Sequence, residues 1–360
     1  MININLIGFK NSFNSAIGDG GSRYSYELYN NLINYRGINV KSAKIEPIFN
    51  KERALAYFIS SYKFVLLNNL EKADIWHFVA DNPAISGRTN RLTKNAKRTI
   101  ATAMEFGNLN KFGSSELGWE DYALNNLNIK DRLMWEIIQI NLKGNLNADH
   151  LIVVSSQTRD EAIKLGYNPK DISLVNLGVD GRFMKPFKHE NRKIFTVGYI
   201  GSFKKRKNVE FAIKALNYIN NKIRFNIYGK GSYYNYLNIS KNKNTNFKGF
   251  ASNKYIIDIY DSFDAFVFPS LYEGFGLPIF EAQARGLPVV IYKYSKISEE
   301  VRKYCFEAKS PEHMAHIIEN LKENGYNENL QKKATEYARN FTWAKTAKET
   351  LKVYKEVLKK

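Results

Sequence analysis

Short apolar runs alternate with amphipathic stretches along the whole chain. In the first half, runs of strand length occur at residues 4–8, 75–79, 99–102 and 151–154. They are apolar without strict alternation, which is typical of strands buried on both faces of a parallel sheet. After the first run, a glycine-bearing loop at 18–22 leads into a helix that carries Tyr24, Leu28 and Leu32 on one face. The pattern predicts an α/β arrangement of strands and helices.

The alternation is interrupted at residues 177–186, where glycine, proline and charge replace the apolar runs, as in an interdomain linker. It then restarts. Strands are predicted at 194–197, 225–228, from 247, at 265–268 and at 289–291, and helices at 208–219 and 342–358.

We therefore predict two Rossmann-like α/β domains. The first comprises residues 1–183 and is completed by a C-terminal helix at 343–360; the second comprises residues 184–342. A chain of 360 residues is long enough for about two domains.

Composition indicates a folded, intracellular protein. Hydrophobic residues make up 44% of the chain and charged residues 25%, which is globular composition. No window approaches the roughly 18 consecutive apolar residues of a membrane span, and no basic, signal-like N-terminus is present. The single Cys305 excludes an intrachain disulfide framework. We expect a cytoplasmic location.

The basic excess lies in the second half of the chain. Residues 181–360 contain 33 Lys and Arg against 17 Asp and Glu, whereas residues 1–180 contain 21 against 18. Such a field favours a polyanion, an anionic membrane surface or a phosphorylated small molecule, and composition does not choose among them.

The stretch 269–290 is the most informative in the sequence. A buried strand ends at Ser270, a turn with Gly274 and Gly276 follows, and Pro278 suits the first turn of a helix. Glycines let backbone N–H groups approach a ligand closely, so the turn is a candidate phosphate or sugar cradle. Glu273 and Glu281 can either grip sugar hydroxyls beside it or simply be solvated.

A basic run, residues 204–207, follows the strand predicted at 194–197 and precedes the helix predicted from Asn208. There the positive charges of Arg206 and Lys207 and the positive end of the helix dipole would all attract a bound anion. The run alone is more typical of a solvated surface, but beside Glu273 and Glu281 we interpret it as a phosphate site.

The two glutamates, in the context Glu-Gly-Phe-Gly-Leu-Pro-x-x-Glu-Ala, match the E-x7-E signature of glycosyltransferase family 4, which this sequence resembles along nearly its whole length. Further similar segments are 148–155, 177–180, 197–208 and 341–343. The resemblance implies the GT-B fold, with two Rossmann-like domains facing across a central cleft. It also implies retaining transfer of a sugar from a nucleoside-diphosphate sugar to an acceptor hydroxyl.

The resemblance implies a role for each matching residue. Arg206 and Lys207 would bind the donor diphosphate, Glu281 the ribose, and Glu273 the transferred sugar; Glu273, Arg206 and Lys207 are the candidate catalytic residues. The backbone of the turn would lie beside the donor, and a glycine pair against the donor phosphate and the acceptor. These additional candidates are Gly274, Phe275, Gly276, Leu277, Gly20 and Gly21.

Some positions depart from the family pattern. Many members have a His near the reacting sugar, where this chain has Met104 and Glu105. Many also have an Arg where this chain has Tyr199, a cation that Arg206 can replace. His77 lies in the predicted strand 75–79, at the expected cleft edge, and is either a contact to donor or acceptor or a structural histidine.

No Asp-x-Asp or His-Glu-x-x-His pattern occurs, so we predict a metal-independent transferase with no cofactor besides its sugar donor. The acceptor would be a glycan, a lipid-linked molecule or another glycoconjugate, with peripheral contact to an anionic membrane as a further hypothesis. Two alternatives remain: a basic nucleic-acid-binding protein, for which recognisable motifs are missing, and a non-catalytic GT-B protein that binds sugar nucleotides.

Overall fold

The structure is a computed structural model, and it describes most of the chain. The described residues are 1–9, 13, 20–45, 71–79, 95–106, 147–185, 192–219, 222–231, 237 and 243–360. They form two units: Met1–Gly178 together with Trp343–Lys360, and Val179–Thr342.

The first unit is built on a six-stranded parallel sheet in the order β2-β1-β3-β4-β5-β6. Its strands are β1 (Ile2–Phe9), β2 (Ile38–Ile45), β3 (Ala73–Phe78), β4 (Ala96–Ala103), β5 (His150–Val153) and β6 (Ile172–Leu174). Within the described ranges, two helices follow strands of this sheet: α1 (Gly20–Leu32) and α2 (Ser156–Lys164). The central strands are buried on both faces, with Leu6, Ile7 and Leu151 fully inaccessible, as their apolar runs predict.

The second unit is built on another six-stranded parallel sheet, in the order β12-β11-β10-β7-β8-β9. Its strands are β7 (Phe195–Ile200), β8 (Ile223–Tyr228), β9 (Thr245–Phe247), β10 (Ala265–Phe268), β11 (Val289–Tyr292) and β12 (Phe306–Ala308). The helices whose bounds the structure describes in this unit are α3 (Val209–Ala215), α4 (Ile256–Asp261), α5 (Leu277–Ala284), α6 (Glu299–Arg302), α7 (Pro311–Asn324) and α8 (Glu328–Arg339). The predicted α/β class is confirmed in both units.

The last helix, α9 (Trp343–Val357), belongs to the first unit. One face of α9 is buried, and its Trp343 ring lies 6.4 Å from the ring of Tyr24 in α1. The predicted helix at 342–358 is therefore confirmed to within one residue at each end.

The units divide between Gly178 and Val179, slightly before the predicted domain boundary at 183/184. The intervening residues pack into the second unit. The Phe183 ring meets the Tyr260 ring edge-on at 5.3 Å, and Arg182 Nη1 donates to the carbonyl of Asn253 at 2.9 Å.

The helix predicted at 208–219 is shorter in the structure. Asn208 has a left-handed backbone (φ 49°), α3 begins only at Val209, and a 3-10 turn, Leu216–Tyr218, follows it. The basic residues before it form a separate 3-10 turn, Lys205–Lys207, because the left-handed residue breaks the helical path. The basic run nevertheless lies immediately before a helix that begins near Asn208, as predicted, with Asn208 as the N-cap residue.

Across the described ranges, no helix is long and apolar enough to cross a membrane.

Candidate functional site

Strands β7 and β10 lie side by side in the middle of the second sheet. From β7 the chain proceeds to β8 and β9 on one side, and from β10 to β11 and β12 on the other. In open α/β sheets, ligands bind at the carboxyl ends of the strands where the strand order reverses in this way. The segments that follow these two strands carry most of the predicted site residues.

The two segments are joined by hydrogen bonds close to the strand ends. The backbone N–H of Leu271 donates to the carbonyl of Arg206 at 2.8 Å. The Arg206 guanidinium donates in return to the carbonyl of Tyr272 at 3.0 Å, and Asn208 Nδ2 donates to the carbonyl of Pro269 at 3.2 Å. The segments after β7 and β10 are therefore joined to each other near the ends of their strands.

Three predicted site residues form a buried charged cluster where these two segments join. Lys207 Nζ is ion-paired with Glu273 Oε1, and Arg206 Nη1 lies 3.7 Å from Glu273 Oε2. The side chains are only 11%, 15% and 8% exposed for Lys207, Arg206 and Glu273 respectively. Burial alone would raise the pKa of the Glu273 carboxyl, but the adjacent Lys207 and Arg206 charges outweigh it and hold that pKa below its usual value.

The lysine of the cluster also contacts an aromatic ring. Its Nζ atom lies 5.4 Å from the ring centroid of Phe268, the last residue of β10. A cation over an aromatic face is stabilised by the ring quadrupole, so Phe268 helps to keep an ammonium group at this depth. Its ring also stacks on the ring of Tyr199 at 6.2 Å.

The glycine-rich turn leads directly into α5. Gly276 takes a left-handed backbone (φ 88°) at the N-cap position, which favours glycine, and Pro278 lies in the first turn. The Phe275 side chain is buried and stacks on the ring of Phe280 at 5.0 Å, so it packs in the core beside the turn. Gly274 and Leu277 complete the turn beside Glu273.

The second glutamate of the signature is buried as well. Glu281 Oε2 accepts a hydrogen bond from the hydroxyl of Tyr260 at 2.8 Å. Tyr260 lies on α4, is fully buried and packs against Phe183, Phe263 and Phe266. Sequence reasoning missed Tyr260, because nothing in the local pattern of α4 relates it to α5.

The other predicted glycines belong to the first unit. Gly20 and Gly21 are the first two residues of α1, and the carbonyl of Gly21 accepts a hydrogen bond from Ser25 Oγ at 3.0 Å. Among the described residues, a Cβ atom added to Gly20 would meet nothing within 4 Å beyond its chain neighbours and the backbone of its own helix. Crowding by the described residues therefore does not explain why residue 20 is a glycine.

His77 is a structural residue. It is fully buried, with Nδ1 2.6 Å from the hydroxyl of Tyr354 and Nε2 2.7 Å from Oγ1 of Thr102. Burial lowers its pKa to about 3. Met104 and Glu105 stand where many family members have a histidine. Met104 is buried and Glu105 is half-buried.

Tyr199, which stands where many family members have an arginine, lies in the core of the second unit. Its side chain is fully buried and its hydroxyl donates to the carbonyl of Ser202 at 3.2 Å. Burial raises its pKa well above the usual value, with the Glu273 charge adding to the effect. The cations beside Glu273 therefore come from Arg206 and Lys207.

Within the described ranges, no group of three or more His, Cys, Asp or Glu side chains is arranged to hold a metal ion. Metal independence stays a prediction.

Residues 182–341 match the family model described as glycosyl transferases group 1. Over 111 residues the chain is 32% identical to O-antigen chain mannosyltransferase B of Escherichia coli, which covers 30% of this chain and 29% of that protein. The chain spans less than half the length of the curated relatives that it matches first.

Similarity to solved structures extends over the whole chain. Sucrose-phosphate synthase from Thermosynechococcus elongatus superposes with a TM-score of 0.72 at 18% identity, covering 99% of each chain. HepE of Anabaena in complex with UDP-glucose gives a TM-score of 0.70 at 14% identity, covering 99% of this chain and 100% of that one. The chain therefore has the GT-B fold of glycosyltransferases, and its residues 182–341 match the glycosyl transferases group 1 family.

Proposed function

We propose that this protein is a retaining, metal-independent glycosyltransferase of the hexosyltransferase type. It moves a sugar from a nucleoside-diphosphate sugar to a hydroxyl group of a glycan, a lipid-linked molecule or another glycoconjugate. The observation that carries the proposal is the buried cluster of Arg206, Lys207 and Glu273 at the strand-order reversal of the second sheet. The family match over 182–341 and the fold shared with the UDP-glucose complex of HepE support it.

In this proposal the two cations serve the leaving group. The bond between the sugar C1 atom and the diphosphate oxygen breaks, and its electron pair stays on the diphosphate. Arg206 and Lys207 stabilise the negative charge that grows on the diphosphate. This electrostatic stabilisation is stronger in a poorly hydrated site than in water. The acceptor oxygen bonds to C1 from the face that the diphosphate leaves, and its proton passes to the leaving phosphate oxygen.

The remaining candidates orient the donor. Glu273 contacts the transferred sugar, Glu281 holds the ribose hydroxyls, and backbone groups of Gly274, Phe275, Gly276 and Leu277 line the phosphate side. Gly20 and Gly21 contact the donor phosphate and the acceptor. Retention and these individual roles rest on the resemblance to family 4.

A thermal-shift panel tests the donor site. UDP, GDP, dTDP and ADP are added without metal to the wild type, to Lys207→Ala and to Lys214→Ala, a control that removes an exposed lysine of α3. A diphosphate at about 100 times its dissociation constant adds roughly 2.7 kcal/mol of stability. We expect one base to raise the melting temperature of the wild type and of Lys214→Ala by a few degrees, and of Lys207→Ala by much less. No shift with any diphosphate, together with a shift by single-stranded DNA, would favour the nucleic-acid alternative.

Peripheral attachment to an anionic membrane is proposed for delivery to a lipid-linked acceptor. Its support is the basic excess of residues 181–360. We expect the protein to sediment with vesicles of phosphatidylglycerol at low salt and to stay in solution with phosphatidylcholine vesicles. Equal behaviour with both vesicles would contradict the attachment.

A further inference from the structure

We propose that Glu273 and the donor diphosphate compete for the ammonium group of Lys207. The exchange of Lys207 between these two anions then limits how tightly the nucleoside diphosphate binds and helps to release it as product. This inference rests on the proposed function and assigns Glu273 a second role, besides its contact with the transferred sugar.

The first support is the directness of the pair. Lys207 Nζ contacts Glu273 Oε1, while the second cation, Arg206 Nη1, lies 3.7 Å from the other carboxylate oxygen. Arg206 also donates to the carbonyl of Tyr272 at 3.0 Å. The carboxylate therefore interacts most closely with the lysine, whereas the arginine is anchored to the backbone beside it.

The second support is that the surroundings leave the ammonium little choice of position. The Lys207 backbone lies in a 3-10 turn, its side chain is 11% exposed, and Nζ lies 5.4 Å from the Phe268 ring centroid. The turn is tied to the segment after β10 through the bond from Leu271 N–H to the Arg206 carbonyl. A phosphate that binds Lys207 must therefore meet the ammonium close to Glu273.

The third support is electrostatic. A carboxylate oxygen and a phosphate oxygen are both anionic acceptors for an ammonium group, and they repel each other when both are close to it. Glu273 is ionised at neutral pH, because the two cations hold the pKa of its carboxyl below the usual value. In this buried position the repulsion is only weakly screened, so binding of the diphosphate must weaken the Lys207–Glu273 pair.

A neutral isostere of Glu273 therefore has an unusual expected effect. In Glu273→Gln the side chain keeps its shape and loses its charge, so that Lys207 turns to the phosphate without competition. We expect the nucleoside diphosphate to bind about tenfold more tightly to this variant than to the wild type. The gain should appear as slower dissociation. A residue that only shapes the pocket or only attracts the ligand would give equal or weaker binding when it is changed.

The experiment is titration calorimetry with UDP, GDP, dTDP and ADP on five proteins: wild type, Glu273→Gln, Lys207→Ala, the double variant, and Glu307→Gln. The last is a matched control, since Glu307, in β12, pairs with Arg302 at 2.9 Å and the substitution removes the same charge. In the double variant we expect a much smaller gain over Lys207→Ala than Glu273→Gln gives over the wild type, because most of the gain requires Lys207.

The outcomes separate the two proposals. If neither the wild type nor Glu273→Gln binds any of the four diphosphates, the proposed function fails, and this inference with it. If the wild type binds one and Glu273→Gln binds it equally or less tightly, the competition is overturned while the donor site stands. A gain that persists in full without Lys207, or appears equally in Glu307→Gln, also overturns it.

Discussion

The Nδ1 atom of His77 lies 2.6 Å from the hydroxyl oxygen of Tyr354, which is 277 positions later in the chain. The other imidazole nitrogen lies 2.7 Å from Thr102 Oγ1, which is itself 2.9 Å from the hydroxyl of Tyr24. Strands β3 and β4 and helices α1 and α9 thus share one buried polar network. Because each imidazole nitrogen has a partner, the neutral ring is satisfied where it lies.

This network makes the stability of the protein depend on pH. In the unfolded chain His77 takes up a proton below its ordinary pKa of 6.5, whereas in the folded protein burial holds it neutral down to about pH 3. The unfolded state therefore binds more protons in this window, and stability falls as pH falls. Between pH 6.5 and 5 the contribution of His77 amounts to about 2 kcal/mol.

Urea unfolding at a series of pH values checks this. We expect His77→Asn to lose less stability on acidification than the wild type. Tyr354→Phe keeps the buried imidazole and should keep the steep dependence while being less stable at every pH. Burial also lowers the pKa of His150, to about 4. This residue remains in all three proteins, so it contributes equally to the pH dependence of each. Parallel pH profiles for His77→Asn and the wild type would contradict the prediction.

The left-handed backbone at Asn208 (φ 49°) separates the turn that carries Arg206 and Lys207 from α3. Glycine adopts this conformation without strain, whereas alanine pays roughly 1–2 kcal/mol. Both substitutions lose the Nδ2 bond to the Pro269 carbonyl. We expect the free energy of unfolding of Asn208→Ala to be about 1 kcal/mol below that of Asn208→Gly, measured by urea denaturation. Equal values would mean that the amide bond, and not the backbone, explains this residue.

The strands of the core were predictable because burial on both faces produces a continuous apolar run. β10 is an example: every residue from Ala265 to Phe268 is buried, and its predicted bounds are confirmed. The edge strand β2, with partly exposed residues and two lysines, and the three-residue strand β6 were not predicted. Edge strands bury less of each side chain, so their sequences lack the signal.

The candidate site was predicted only as separate pieces. The spacing of Glu273 and Glu281 and the basic run at 204–207 are local patterns, and both are visible in the sequence. The contact of Lys207 with Glu273 depends on β7 lying next to β10, which is a property of strand order and not of either segment. The Tyr260 hydroxyl on Glu281 depends in the same way on how α4 packs against α5.

The Tyr260 hydroxyl donates a hydrogen bond to Oε2 of the buried Glu281 at 2.8 Å. Its replacement by Phe leaves a buried carboxylate oxygen short of this donor, which costs about 1–3 kcal/mol of stability. Tyr337→Phe is a control, since that hydroxyl donates only to the carbonyl of Glu300 in a half-buried position. We expect the larger loss for Tyr260→Phe in urea denaturation, and coupling between Tyr260→Phe and Glu281→Gln in a double-mutant cycle. Additive effects would show that the hydrogen bond contributes little.

The same substitution bears on ligand recognition. Because Glu281 is proposed to hold the ribose hydroxyls, a poorly positioned carboxylate should distinguish them less well. We expect Tyr260→Phe to reduce the preference for a ribonucleoside diphosphate over its 2′-deoxy form, measured by calorimetry at equal temperature and salt. A general loss of affinity that leaves this preference intact would assign Tyr260 to packing alone.

Gly20 offers a test of its proposed donor contact that is separate from folding. Among the described residues a Cβ atom at this position meets nothing within 4 Å beyond its own helix and chain neighbours, and Gly20 is the first residue of α1, so Gly20→Ala should leave the melting temperature almost unchanged. Gly181→Ala is the matched control, since a Cβ there also meets nothing within 4 Å. If the backbone at Gly20 approaches the donor phosphate, the added methyl group blocks it, and we expect diphosphate affinity to fall at least about tenfold in Gly20→Ala alone. Unchanged affinity in a stable Gly20→Ala protein would remove Gly20 from the donor site.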